Sequence, residues 1–152
     1  MAPKPSLTYS RANLKDVDRL FAFILPAAKE LSLGGKFPVS QEKTKQAITE
    51  AINDGIVIIC QDRDIIKGVL MLAIFEYWWS EKQALTNALM YVDPKSRTLK
   101  ITSAFIEQAK IVAENTKMNL IWDFIDATEN LPRKVNLAKR KLGLTEIGVT
   151  LA

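Results

Sequence analysis

Residues 86–114 read TNALMYVDPKSRTLKITSAFIEQAKIVAE, and the change of pattern at Pro94 decides how the chain folds. Up to Val92 the run is apolar and rich in strand formers, and Pro94 ends it. Arg97–Asn115 then follows a helical period, with Ile101, Ala104, Phe105, Gln108, Ile111 and Val112 along one side. Lys95, Arg97 and Lys100 place positive charge at the start of that helix. A helix N-terminus already carries free N–H groups and a partial positive charge, so this segment suits a phosphate. Met118–Asp126 is apolar again, and a strand, helix and strand of this size predict a right-handed parallel crossover.

Upstream, Leu7–Arg11 reads as a first strand, and Asn13 with Asp16 three residues on forms a capping box. Leu14, Val17, Leu20, Phe21, Ile24, Ala28 and Leu31 keep a helical period, which Pro26 is expected to kink or split before Gly34-Gly35 ends it. Ser40 caps a second helix whose buried side is Ala47, Ile48, Ala51 and Ile52, and Asp54-Gly55 stops it. Ile56–Gln61 and Ile65–Tyr77 are predicted to pair through the turn Asp62-Arg63-Asp64, with Ala84–Val92 completing an antiparallel meander. Downstream, Asn130 and Pro132 open a last helix with Leu131, Val135, Ala138 and Leu142 facing the sheet, and Gly143 closes it. Leu144–Leu151 is the final strand. The order β-α-α-β-β-β-α-β-α-β describes one α/β (α+β) domain over residues 7–152, behind a loose leader at 1–6.

Composition narrows the chemistry. The chain has no histidine, which excludes Ser-His-Asp and Cys-His catalysis and His-ligated metal sites. Its one cysteine, Cys60, lies inside the apolar run Ile56–Cys60 and reads as a buried strand thiol. Without disulfides, a signal peptide or an apolar run of membrane length, a soluble protein of the reducing cytoplasm is expected, with no membrane partner. A net charge of +4 favours an acidic partner: a phosphorylated cofactor, a nucleic acid or another acidic surface. The basic residues Arg133, Lys134, Lys139, Arg140 and Lys141 have no aromatics among them, which argues against nucleic acid. Tyr77-Trp78-Trp79 reads as an acceptor-pocket wall, a partner contact or core packing. Adjacent strand residues cannot both face inward, so one of the tryptophans is expected to be exposed, which would allow a homodimer.

Several words in this order resemble the GNAT superfamily of acyl-CoA-dependent N-acyltransferases. Leu7–Arg11 followed by Leu14-Lys15-Asp16-Val17 is similar to the family's opening strand and helix start. Tyr91-Val92-Asp93-Pro94-Lys95-Ser96-Arg97 is similar to its core strand end and the start of its pyrophosphate loop. Asn130 and Lys141-Leu142-Gly143-Leu144 resemble its closing asparagine and its K-L-G-F signature. The resemblance covers nearly the whole chain. It implies a mixed, mostly antiparallel twisted sheet with helices on both faces, in which strands 84–92 and 118–126 run parallel but splay.

The same resemblance implies acetyl-CoA as co-substrate, without a metal. The pantetheine arm would pair near Met90, Tyr91 and Val92. The diphosphate would sit on Arg97, Thr98, Leu99, Lys100, Ile101 and Thr102, and Asn130 would complete the cofactor site. The family's loop reads Q/R-x-x-G-x-G/A, and here Lys100 and Thr102 replace its small residues. Lys139 stands where many members carry a tyrosine that protonates the departing thiolate. The core strand has no acid, so Glu76, Asp123 or Asp126 is left to serve as base, directly or through water. The activity implied is direct transfer of an acetyl group to an amine of a small molecule or peptide. The substituted loop leaves open a catalytically inactive binding or assembly protein with the same fold.

Overall fold

A strand covered by helices on both faces has no polar side to present, and the run IVIIC at 56–60 is built that way. The computed structural model describes residues 6–30, 32, 35–123, 136, 139, 140, 143 and 144. Within them, strand β1 (Leu7–Arg11) leads to helices α1 (Val17–Glu30) and α2 (Gln41–Asp54). Strands β2 (Ile56–Asp62), β3 (Ile65–Glu76) and β4 (Gln83–Val92) follow, then helix α3 (Leu99–Thr116) and strand β5 (Asn119–Ile121). The five strands form one sheet in sequence order; β1 to β4 are antiparallel, and β5 runs parallel to β4. This is the mixed, mostly antiparallel sheet that was expected. The last helix and strand expected at 130–151 lie largely outside the described residues, as do Phe124–Asp126 of the strand expected at 118–126.

Strand alternation divides the core in two. Ile56, Ile58, Cys60, Leu70 and Leu72 face α3, where Ile101, Phe105 and Ala109 meet them. Val57, Ile59, Val69 and Met71 face α1 and α2, against Leu20, Ile24, Ala27 and Ile48. Gly68 lets α3 lie close: a Cβ there would meet the Phe105 ring at 3.0 Å. Gly55 is tighter still, because its Cβ would come within 2.5 Å of the Leu72 carbonyl oxygen.

The helix starts follow their capping residues. The Asn13 amide donates to Asp16 Oδ2 at 2.8 Å, and Asn13 Oδ1 accepts from the Lys15 amide at 2.9 Å. Ser40 Oγ accepts from the Lys43 amide at 3.2 Å. Pro26 does not split α1, which continues through it to Glu30. The bond that proline deletes would have gone to the carbonyl of Ala22, an exposed residue whose oxygen water can satisfy. Two apolar residues expected to be buried are exposed. Ala47 sits at the edge of the α2 stripe, and Ile111 lies about 120° around α3 from Phe105.

The glycine contacts give a ranked expectation. Gly68→Ala, which meets a side chain that can shift, should cost about 1–3 kcal/mol, read as a lower Tm. Gly55→Ala should cost more, because it meets a backbone oxygen. Equal or reversed losses would contradict this packing.

Asp16 gives a pH test. Burial alone would raise its carboxyl, but the Asn13 amide and the Arg19 guanidinium hold it below its usual value. A lowered folded pKa means that its contribution is complete above the unfolded value near about pH 4 and fades as pH falls through the folded value. Asp16→Ala should therefore lose about 1 kcal/mol at pH 7, and the gap to the parent should close on acidification.

Candidate active site

The ladder between β4 and β5 is short. Ala84 faces Asn119, Leu85 faces Leu120 and Thr86 faces Ile121, and no further rung forms among the described residues. The next position on β4 is Asn87. Its side-chain amide donates from Nδ2 to the Asp123 carbonyl at 2.7 Å, and its Oδ1 accepts from the Asp123 amide at 2.8 Å. A primary amide offers the same donor and acceptor as a peptide group, so Asn87 adds one more rung at side-chain length. Backbones in direct register lie about 4.8 Å apart, and a rung made through a side chain holds them wider. Immediately after it, Met71 pairs with Leu89 while Leu72 pairs with Asn87, leaving Ala88 as an unmatched bulge residue. A bulge bends and twists its strand. Wedge and bulge together end the direct ladder before the second half of β4, the half that holds Met90, Tyr91 and Val92.

At the far end of β4 the chain turns through Pro94–Ser96 into α3. The Asp93 amide donates to the Lys67 carbonyl at 2.9 Å, and the Ser96 amide to the Asp93 carbonyl at 2.8 Å. Thr98 is the N-cap of α3, but its side chain makes no capping bond, and the first turn contains no acid. The helix begins two residues later than expected, at Leu99. Its free amides are therefore those of Leu99, Lys100 and Ile101, while the Thr102 amide enters the helical ladder. Ile101 and Thr102 are buried under the helix, and Lys100 is exposed, so its chain points outward.

Arg97 is held by three neighbours. Its Nε donates to the Val92 carbonyl at 3.1 Å, its guanidinium lies 5.5 Å from the Tyr91 ring centre, and an Nη approaches Glu30 Oε2 at 3.8 Å. The Glu30 pair is half exposed and worth little in energy. The carbonyl bond fixes the guanidinium beside the end of β4. Burial pushes the Tyr91 hydroxyl pKa up; Glu30 raises it further, Arg97 opposes, and Asp93 again raises it.

Asp123 and Glu76, two of the acids expected at the site, stand at different places along the sheet. Asp123 lies at the apex of the wedge, where its backbone holds Asn87 and its side chain is exposed. Glu76 pairs with Gln83 at the closed end of the sheet, four residues before Asn87, which is about 13 Å along a strand. Lys139 is exposed, and Asn130 lies outside the described residues. Cys60 is fully buried, and burial raises its thiol above the usual value, with a Tyr9 hydrogen bond opposing. Tyr77, Trp78 and Trp79 lie past the end of β3, so strand alternation does not reach them. All three are exposed, Trp78 to 92%, with Tyr77 stacked on Trp79.

A cavity of about 630 Å³ lies on the other side of β4, between α1, α2 and the strands β3 and β4. It reaches Ala88 and Leu89 at the bulge. Sequence reasoning missed both this cavity and the Asn87 wedge. The one available signal was a lone amide in the middle of the otherwise mostly apolar run Ala84–Val92.

No protein-family model matches the chain, and no curated protein matches it in sequence. Solved structures match it in shape. A possible acetyltransferase from Clostridium difficile 630 superposes with a TM-score of 0.70 at 17% identity, over 96% of this chain and 95% of that one. A predicted acetyltransferase from Clostridium acetobutylicum, solved with acetyl-CoA, gives 0.67 at 17% identity, over 97% and 95%. An aminoglycoside 6′-N-acetyltransferase from Acinetobacter baumannii gives 0.67 at 14% identity, over 97% and 96%. The fold of this chain is that of the GNAT acetyltransferases.

The wedge is open to direct test. Asn87→Ala should cost about 1 kcal/mol of stability for its two lost bonds at an exposed site. Asn87→Asp should be worse at pH 7, where a carboxylate faces the Asp123 carbonyl, and should recover below about pH 4, where a protonated acid can donate. A loss in Asn87→Asp that does not depend on pH would contradict this geometry.

Proposed function

We propose that this chain is an acetyl-CoA-dependent N-acetyltransferase that moves an acetyl group directly to an amine of a small molecule or peptide. The observation that carries the reading is the wedge-opened edge of β4, which leads to a helix start with three free amides, no acid and an exposed lysine. That edge and that helix start fit a long polar arm ending in phosphates. The amides of Leu99, Lys100 and Ile101 and the Lys100 ammonium would hold the diphosphate. Arg97 keeps N–H groups beyond its bond to Val92 and would add a second, pre-oriented cation. The backbone of Met90, Tyr91 and Val92 would pair with the pantetheine arm.

Bound there, acetyl-CoA supplies an activated acetyl group. The chain's own part is to position an amine, polarise the carbonyl with a β4 amide and accept protons. Direct transfer suits a protein with no histidine and with its one cysteine buried. Asp123, exposed at the apex, is the acid we place nearest the reacting groups, with water as intermediary. Lys139 stays a proposed proton donor to the departing thiolate, and Glu76 a less direct base.

Thermal unfolding with 1 mM acetyl-CoA should raise Tm by roughly 5–15 °C if the dissociation constant is about micromolar. Lys100→Glu should weaken that binding by about tenfold, the order of one charge-assisted contact. Amine-dependent release of free thiol should accompany binding. No shift in Tm would sink the reading, and a shift without turnover would favour a binding protein with the same fold.

A further inference from the structure

The cavity against the bulge is lined largely by small apolar side chains, with Ser40, Thr44 and three charged residues on α2. Ala27, Ala28, Ala47, Ala51, Ala73 and Ala88 contribute to its wall, and Ile24, Ile48, Met71 and Leu89 fill between them. Its volume, about 630 Å³, lies in the range of small-molecule sites. Its charge is concentrated at one end. Glu50 and Asp54 line it one turn apart on α2, and the last turn of that helix has no basic residue. A helix C-terminus adds a partial negative charge of its own. Lys43, also on the wall, lies about 10 Å back along the helix from Glu50.

The acidic end also lies close to the sheet, one strand from Asn87. Gly55 closes α2 so near the sheet that its Cβ would meet the Leu72 carbonyl oxygen, and Leu72 pairs with Asn87. A cation drawn to Asp54 is therefore brought to the part of β4 where the strands part.

From these features we infer that the acceptor is a primary monoamine with a compact apolar body. Its ammonium is held at the Glu50–Asp54 end and its hydrocarbon lies against the alanine wall. The inference rests on the acetyltransferase reading for the fate of the amine, and on the cavity alone for its binding. The amine first gives one proton to water or a carboxylate. Its nitrogen lone pair then forms the C–N bond as the thioester C–S bond breaks. The sulfur leaves with that electron pair and takes the second proton, giving an amide, free CoA and one released proton. An aminosugar fits less well, because those of its hydroxyls and ammonium groups beyond the reach of Ser40, Thr44, Glu50 and Asp54 would face alanine and isoleucine unpaired.

The test uses the full chain, acetyl-CoA and the probes propylamine, butylamine, hexylamine, 2-phenylethylamine and kanamycin. Thiol release should show kcat/KM rising about fourfold per added methylene until the cavity fills. Kanamycin should be poorer than hexylamine by on the order of a hundredfold. Asp54→Asn should raise KM for every amine by about tenfold and leave KM for acetyl-CoA unchanged. Ala47→Phe, at an exposed helix position on the wall, should penalise hexylamine more than propylamine. Hexylamine should also raise Tm without acetyl-CoA, and Ala47→Phe should abolish that shift. Rates that do not depend on chain length, or a preference for kanamycin, would overturn the inference while leaving acetyl transfer intact. Protection by hexylamine with no turnover of any amine would leave the pocket standing and remove the acetyltransferase reading. Neither protection nor turnover would remove both.

Discussion

Asn87 occupies the place where two parallel strands stop being a ladder. Its amide makes both hydrogen bonds that a peptide group would make to Asp123, so β4 and β5 remain in one sheet, but the distance is set by a side chain. The unmatched residue that follows, Ala88, turns β4 away at the same point. A sheet normally satisfies every interior backbone group with a neighbouring strand. Here the second half of β4 has no β5 rung among the described residues, while β3 pairs with its other edge and α3 packs on one face.

Electrostatics divides the two sides of this strand. On the α3 side, a helix begins with free amides, an exposed Lys100 and a tethered Arg97, and its first turn has no acid. On the α1 and α2 side, a helix ends with Glu50 and Asp54 and no base in its last turn. One helix presents its positive end to the end of β4 and another its negative end to the apex. An anionic donor and a cationic acceptor would thus be drawn to opposite sides of β4, with the bulge between them. No described helix is long and apolar enough to cross a membrane.

Much of this architecture was legible along the chain because its signals are local. The runs at 56–60 and 69–72 are continuously apolar because both faces of their strands are covered. The capping residues Asn13, Asp16, Ser40 and Gly55 act within a few positions of themselves. The errors have equally physical sources. A split at Pro26 is expected from sequence because the chain alone cannot say that Ala22 faces water, which makes the lost bond inexpensive. Ala47 and Ile111 were placed inside because a stripe one residue too wide still looks periodic. The strand expected to reach Tyr77 stops at Glu76, because its end depends on where β3 stops pairing with β4.

By itself, then, the sequence determined the order of elements, the two-sided core, the basic helix start after Pro94, and a chemistry without histidine or a reactive thiol. Each of these depends on residue type and short-range spacing. Tertiary structure alone decided that Asn87 meets Asp123, 36 positions away. It also turned Arg97 back onto Val92 and set the acidic end of α2 above the point where the strands part. Those relations join residues that are distant in the chain or depend on side-chain direction. They arise only when helices and sheet are packed together.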